Sequence, residues 1–96
     1  MRDMAIRSFT SKILQAYWER GRMKGMDPKS EARINRLLSG LMAATRPEDM
    51  DVAGNYFHRV KGKRNQYAVA IRAKWELTFE WEGGAAVRVD EEETEE

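Results

Sequence analysis

Histidine occurs once in this chain, at position 58, and the residues that follow it set the chemistry open to it. Lys61 stands three residues on and Arg64 six. Between His58 and Lys74 there are six basic residues, Arg59, Lys61, Lys63, Arg64, Arg72 and Lys74, and no acid. An imidazole titrates near neutral pH and can take or give a proton. Ammonium and guanidinium groups supply fixed positive charge and hydrogen-bond donors. Phosphate is the natural ligand for such a surface, which makes nucleic acid the leading partner class. The blander readings are a solvated face for the cations and an ordinary rim residue for the histidine. The long stretch without an acid favours phosphate. A metal centre has little support, since the chain has no cysteine and no second histidine.

The elements that must position these residues show in the alternation around them. Tyr67, Val69 and Ile71, then Trp75, Leu77, Phe79 and Trp81, alternate as two half-buried strands do. This predicts strands over 55–60, 66–72 and 75–82. Residues 61–65 form a turn around Gly62, Ala73-Lys74 a tight turn, and Gly83-Gly84 a hairpin onto a strand over 85–89. His58 and Lys61 then lie at a strand end, where the turn at Gly62 can bring both to one edge. For the two alternating sets to share a face, paired residues must sum to an even number. One such register sets Arg72 opposite Glu76 and Ala68 opposite Glu80. The outward face is then Ala68, Ala70, Arg72, Glu76, Thr78 and Glu80. Trp75, Phe79 and Trp81 read as core rather than as platforms for bases, while Tyr56 and Tyr67 can stack on a base only if they face outward.

Upstream, residues 4–9 read as an edge strand and residues 1–3 as an extension. Thr10 or Ser11 can cap a helix over about 10–21 with Ile13, Leu14, Tyr17 and Trp18 on one stripe. If Thr10 is the cap, Phe9 and Leu14 form a hydrophobic staple. Gly21 and Gly25 end the pattern. Asp27-Pro28 opens a second helix, whose Ile34, Leu37, Leu38, Leu41 and Met42 recur at i, i+3, i+4, i+7 and i+8. Lys29, Glu31, Arg33 and Arg36 are left for solvent or a partner. Thr45-Arg46-Pro47-Glu48 has the form of a capping box for one further turn. The fold class is α+β, two N-terminal helices packed on a mainly antiparallel four- to five-stranded sheet.

With 96 residues and 42% hydrophobic composition, one domain with one core is expected. No apolar run approaches a membrane span, there is no secretory leader pattern, and the cytoplasm is the expected compartment. The net charge of +1 hides an asymmetry, because residues 90–96 hold six of the sixteen acids and none of the seventeen bases. The domain is expected over 1–89, followed by an acidic tail at 90–96 expected to be disordered.

Arg7-Ser8-Phe9, the run from His58 to Arg64, and Val69 to Phe79 in this order and spacing resemble the HigB-type toxins of the RelE/ParE superfamily. The family pattern runs H-P-L-K-G-D-R, then V-R-A-N-W-R-I-T-F, and ends D-Y-H. The likeness extends from Met4 to Val89. It implies a RelE-like fold and a cytoplasmic bacterial toxin that cuts messenger RNA on the ribosome without a metal or cofactor. It also implies a helix-turn-helix antitoxin of HigA type as partner, with operator DNA reached only through it. Carried over residue by residue, His58, Lys61 and Arg72 are catalytic, while Arg59, Lys63, Arg64 and Lys74 contact RNA or the ribosome. Metal-free RNA cleavage agrees with these residue types: the 2′-hydroxyl must lose a proton, the leaving 5′-oxygen must gain one, and cations must hold the charge on the phosphorane.

The chain departs from the pattern at three places. Arg59 replaces the family's proline, Glu76 replaces the arginine after the tryptophan, and Glu93-Thr94-Glu95 replaces Asp-Tyr-His. Glu93 or Glu95 can replace the missing acid and base if its pKa is raised. A second reading follows, a catalytically lapsed member that survives as an antitoxin-binding module. A third is the ParE-like branch, which acts on DNA gyrase.

Overall fold

The computed structural model describes residues 6–21 and 27–94. Its first helix, α1, is Lys12–Arg20. Ser11 rather than Thr10 caps it, its hydroxyl accepting the Leu14 amide at 3.1 Å. Gly21, at φ +78°, closes the other end by donating its N–H to the Tyr17 carbonyl at 2.7 Å. Leu14 and Tyr17 are buried, Trp18 packs beside them, and Ile13 is exposed rather than part of the stripe.

The second helix, α2, is Pro28–Ala43 and starts where Asp27-Pro28 predicts. Ile34, Leu37, Leu38 and Leu41 form its buried face and Met42 packs at the margin. A 3-10 turn over Pro47–Met50 follows. It is tied by Asp49, whose carboxylate accepts from the Thr45 amide and hydroxyl, and not by the Thr45–Glu48 box.

Four strands form an antiparallel meander in the order β1-β2-β3-β4. They are β1 His58–Arg59, β2 Gln66–Arg72, β3 Trp75–Glu82 and β4 Ala85–Glu93. The first is far shorter than the expected 55–60, because Asn55 turns its side chain into the loop before it and Tyr56 takes a positive φ. Conversely, β4 runs four residues past Val89. Asp90–Glu93 pair with β3, so the acidic stretch is sheet as far as Glu93 and not a disordered tail from residue 90. Upstream, Ile6 and Phe9 bridge in parallel to Ala86 and Val89. The expected edge strand thus survives as two bridges on the far side of β4, and Met4 and Ala5 lie outside the described residues.

The register between β2 and β3 has the even parity that shared burial demands, offset by two. Tyr67 faces Phe79 and Val69 faces Leu77. A two-residue turn at Ala73-Lys74 places Arg72 opposite Trp75, an odd sum, and a bulge between Ala70 and Arg72 absorbs the extra residue. Ile71 thereby stays in the core. Trp75, on the turn side of the bulge, is 38% exposed and is not the core residue its alternation suggests. A second bulge, at Arg88 with φ +51°, returns Val89 to the core after the Gly83-Gly84 turn.

Both helices share one core with Tyr67, Val69, Ile71, Leu77, Phe79 and Val89, so they lie on the same face of the sheet. The opposite face is partly closed as well, since Ala68 and Thr78, expected outward, are buried. They are short, and they lie in one cross-strand row between His58 and Asp90.

The helix is tied to the sheet at Asp27. Its carboxylate accepts from the Ser30 amide at 2.9 Å and the Ser30 hydroxyl at 3.0 Å, and it lies 3.3 Å from the Arg72 guanidinium. The Ser30 bonds, and further down the Arg72 charge, hold the carboxyl below its ordinary value of 3.8. A depressed carboxyl adds stability above its unfolded value and loses it as pH falls through the folded one. Asp27→Asn is therefore expected to melt below the wild type at neutral pH and to converge with it under acid. Melting curves across pH check this, and an undiminished gap well below pH 3.8 would remove the charge from the account.

Candidate active site

His58 is positioned from two sides, and neither device is local in sequence. From α2, Arg33 reaches the loop ahead of β1 and donates to the Gly54 carbonyl at 2.7 Å, the Asn55 side-chain oxygen at 3.0 Å and the Ala70 carbonyl at 3.2 Å. Asn55 is buried. Its side-chain amide donates to Met50 O at 2.9 Å, and its carbonyl accepts from the Ala70 amide at 2.8 Å. Buried polar groups satisfied this fully fix a loop in one conformation. From below, Phe57 stacks on Tyr67 at 5.7 Å between ring centroids, and Tyr67 on Phe79 at 5.7 Å. Arg59, pointing to that same face, lies over the Tyr67 ring at 5.5 Å.

The imidazole itself lies on the opposite face and is about half exposed. Its Nδ1 is 3.0 Å from the Tyr56 carbonyl oxygen, which can only accept, so Nδ1 carries the hydrogen of that bond. Nε2 is the nitrogen left for other partners, and Glu76 Oε2 stands 3.6 Å from it.

Strand register explains why Glu76 is there. His58, Ala68, Thr78 and Asp90 form one cross-strand row, and Ala70, Glu76 and Glu92 the next. Glu92 accepts from the Thr78 hydroxyl at 3.2 Å. The nearest charged neighbours of the imidazole across the sheet are therefore acids. Glu91, on the core face opposite Leu77, has its carboxyl raised by burial and then by the charge of Asp90.

The cations lie on the other side of the His58 row, toward the Gln66 end of β2, while Glu76 and Glu92 lie toward Ala70. Lys61, Lys63 and Arg64 are exposed in the turn after β1, which Gly62 permits at φ +81° and which the Val60 amide closes onto Gln66 O at 2.8 Å. Among the described residues no carboxylate lies within ion-pair distance of these three or of Lys74. Thus His58 and the turn cations share one edge, as the spacing predicts. Arg72 does not join them. It is four residues along β2 from Ala68, the partner of His58, hence roughly 13 Å from that row, and it pairs with Asp27. Lys74 lies at the same far end, where its carbonyl accepts from Thr94 N at 2.6 Å. Glu93, opposite Trp75, is there too, and Glu95 lies outside the described residues.

Sequence reasoning missed Asn55 and Arg33 as supports of the site, and Asp90 and Glu92 as members of the cross-strand rows of His58 and Glu76. For the two acids the signal was the alternation of Val87, Val89 and Glu91, which continues the strand through the charged run.

Residues 7–91 match a family described as the RelE-like toxin HigB of type II toxin-antitoxin systems. Among curated proteins, the Endoribonuclease HigB of Proteus vulgaris is 32% identical over 82 residues, which cover 84% of this chain and 89% of that protein.

Proposed function

The chain belongs to the RelE-like HigB toxins of type II toxin-antitoxin systems, and from that premise we propose that it is an endoribonuclease that cuts messenger RNA on the ribosome. The observation that carries this reading is His58, fixed at Nδ1 by a backbone oxygen and followed by a turn of cations that make no ion pair among the described residues. The 2′-oxygen of the substrate attacks the adjacent phosphorus as its proton leaves, and the bond to the 5′-oxygen breaks as that oxygen gains one. The products are a 2′,3′-cyclic phosphate and a 5′-hydroxyl. His58 Nε2 serves one of the two proton transfers. Lys61 stabilises the phosphorane. Lys63 and Arg64 hold neighbouring phosphates or ribosomal RNA, and Arg59, on the face opposite the imidazole, and Arg72 and Lys74, farther along the sheet, make more distant contacts of the same kind. No metal or cofactor takes part. A helix-turn-helix antitoxin of HigA type silences the toxin in the bacterial cytoplasm and links it to operator DNA.

A second reading is favoured by one contact. Glu76 places negative charge where a phosphate would approach Nε2, which suits a member that has stopped cutting and only binds its antitoxin. Induction of this chain in a bacterium, beside His58→Ala, with primer extension on an abundant message, separates the two. Ribosome-dependent cuts that disappear in the variant establish the enzyme, whereas intact messages and normal growth leave the binding module.

The same contact yields a quantitative expectation. A carboxylate about 5 Å from a phosphate at a half-exposed site opposes binding by about 1–2 kcal/mol. Glu76→Gln should therefore bind a short RNA with a 2′-O-methyl group at the cut position about tenfold more tightly. Fluorescence anisotropy at low and physiological salt checks this, with the gain shrinking as salt rises. Unchanged affinity would mean that phosphate does not approach Nε2.

A further inference from the structure

The loop that delivers His58 carries a tyrosine for which folding alone gives no reason. Tyr56 has φ +53°, a left-handed conformation that residues with a Cβ seldom adopt. The residue is 77% exposed, more than any other large apolar residue described. The neighbours on both sides are fixed: Asn55 is buried and hydrogen-bonded to Met50 and Arg33, and Phe57 is stacked on Tyr67. Position 56 therefore cannot relax its backbone without breaking one of them. Its carbonyl oxygen is the acceptor for His58 Nδ1, but glycine or asparagine would supply that oxygen with less strain. What tyrosine adds is a ring held in water.

A single exposed aromatic residue is ordinary on a protein surface. This one is set apart by its support and its company. It rises from a rigid, strained backbone two residues before the imidazole, and at the other end of the same edge strand stand Lys61, Lys63 and Arg64, which make no ion pair among the described residues. Cations that hold a phosphate backbone beside an aromatic face that takes a base are the two parts of a single-strand nucleic-acid site. Phe57 and Tyr67 cannot serve, since their rings stack on one another and Tyr67 is buried in the core.

We propose that the Tyr56 ring stacks on the nucleobase next to the scissile phosphate and so holds the RNA against His58. This rests on the endoribonuclease reading above. The contact is with the π-face and not the hydroxyl, and it is tolerant of base identity.

Tyr56→Phe, Tyr56→Trp, Tyr56→Leu and Tyr56→Ala are to be compared in single-turnover cleavage of a message bound on bacterial ribosomes, over a range of protein concentrations. Thermal melts and titration with a purified HigA-type antitoxin that binds the wild type run in parallel. Phe and Trp should cleave as the wild type does. Leu and Ala should need roughly ten- to hundredfold more protein for half-maximal rate. Their rate at saturation, melting temperature and antitoxin affinity should change little. Full activity of the Ala variant, a loss shared by Phe, or a loss spared in Leu would overturn the proposal, as would a loss confined to antitoxin binding. If the wild type itself cuts nothing, the endoribonuclease reading falls and takes this one with it. If wild-type cleavage depends on His58 while Tyr56→Ala is normal, Tyr56 alone is excluded.

Discussion

Lys61→Ala is expected to slow message cleavage about a hundred- to a thousandfold while leaving the fold intact. The magnitude follows from the role. A cation aimed at charge that develops only in the transition state contributes about what one oxyanion donor does, and its removal lowers the rate constant rather than substrate affinity. The fold should not register the loss, because Lys61 is exposed in the turn and makes no ion pair among the described residues. Melting should stay within about 0.5 kcal/mol of the wild type, as for other surface substitutions. Lys61→Arg, which keeps the charge but not the point geometry of an ammonium, should retain part of the rate. The decisive measurement is single-turnover cleavage with ribosomes at saturating protein, set beside growth arrest on induction. A folded alanine variant that cuts at the wild-type rate would remove Lys61 from the chemistry and leave it at most a phosphate contact.

The role of Lys61 is what the family resemblance implies, but its placement beside His58 could be drawn from sequence because the parts are local. His58, Lys61 and Gly62 lie within five residues, and a strand end followed by a glycine turn is readable from their order. The same holds for α2, where Asp27-Pro28 and the apolar recurrence specify start and face without help from the rest of the chain. What was not legible depends on pairings over long separations. Arg33 meets Ala70 across 37 residues and Asn55 across 22, and neither end carries a pattern that names the other. Glu76 reads as a charge reversed in a strand, but its approach to His58 follows only once β1 and β3 are both registered on β2. The bulges at Ala70/Arg72 and at Arg88 escaped for a related reason. Alternation specifies which face a residue takes, and turn length specifies parity, but their conflict is visible only when both are known together. Trp75 was misjudged there, and the register was offset there.

The acidic C-terminal stretch shows the same limit from the side of composition. Four acids in a row, Asp90 to Glu93, read as a solvated tail because charge density argues against burial. Pairing with β3 overrides that argument by giving the backbone a ladder, and the alternation then sends Glu91 to the core face and Asp90 and Glu92 to the other. The division into basic body and acidic tail thus becomes a division between the two edges of the sheet, with Asp90 in the cross-strand row of His58 and Glu92 in that of Glu76 on β4, and the cations in the turn after β1.

Phe79→Ala is the second large effect, and it joins the core to the site. Phe79 is fully buried at the centre of an aromatic series, edge-on to Trp81 at 6.4 Å and stacked on Tyr67, which in turn carries Phe57 and Arg59. Truncating a buried phenylalanine costs about 3–5 kcal/mol, a large part of the roughly 5–10 kcal/mol expected of a domain this size. Urea unfolding should show the midpoint falling with little change in slope. The loss should not be spread evenly. Strand β1 has only two paired residues, and its hold on the sheet rests on those pairs, on the Phe57–Tyr67 stack and on Arg59 over the same ring. Removing the support beneath Tyr67 frees that ring to sink toward the cavity, which loosens β1 before the rest of the sheet. Cleavage by Phe79→Ala, measured at a temperature where it is still folded, should therefore fall by more than its folded fraction accounts for, and the amides of His58 and Val60 should lose hydrogen-exchange protection ahead of those in β3. Phe79→Leu, which fills more of the space, should recover much of both. If activity instead tracks the folded fraction alone, the aromatic series holds the core together but does not position His58, and the bonds from Arg33 and Asn55 suffice to do so.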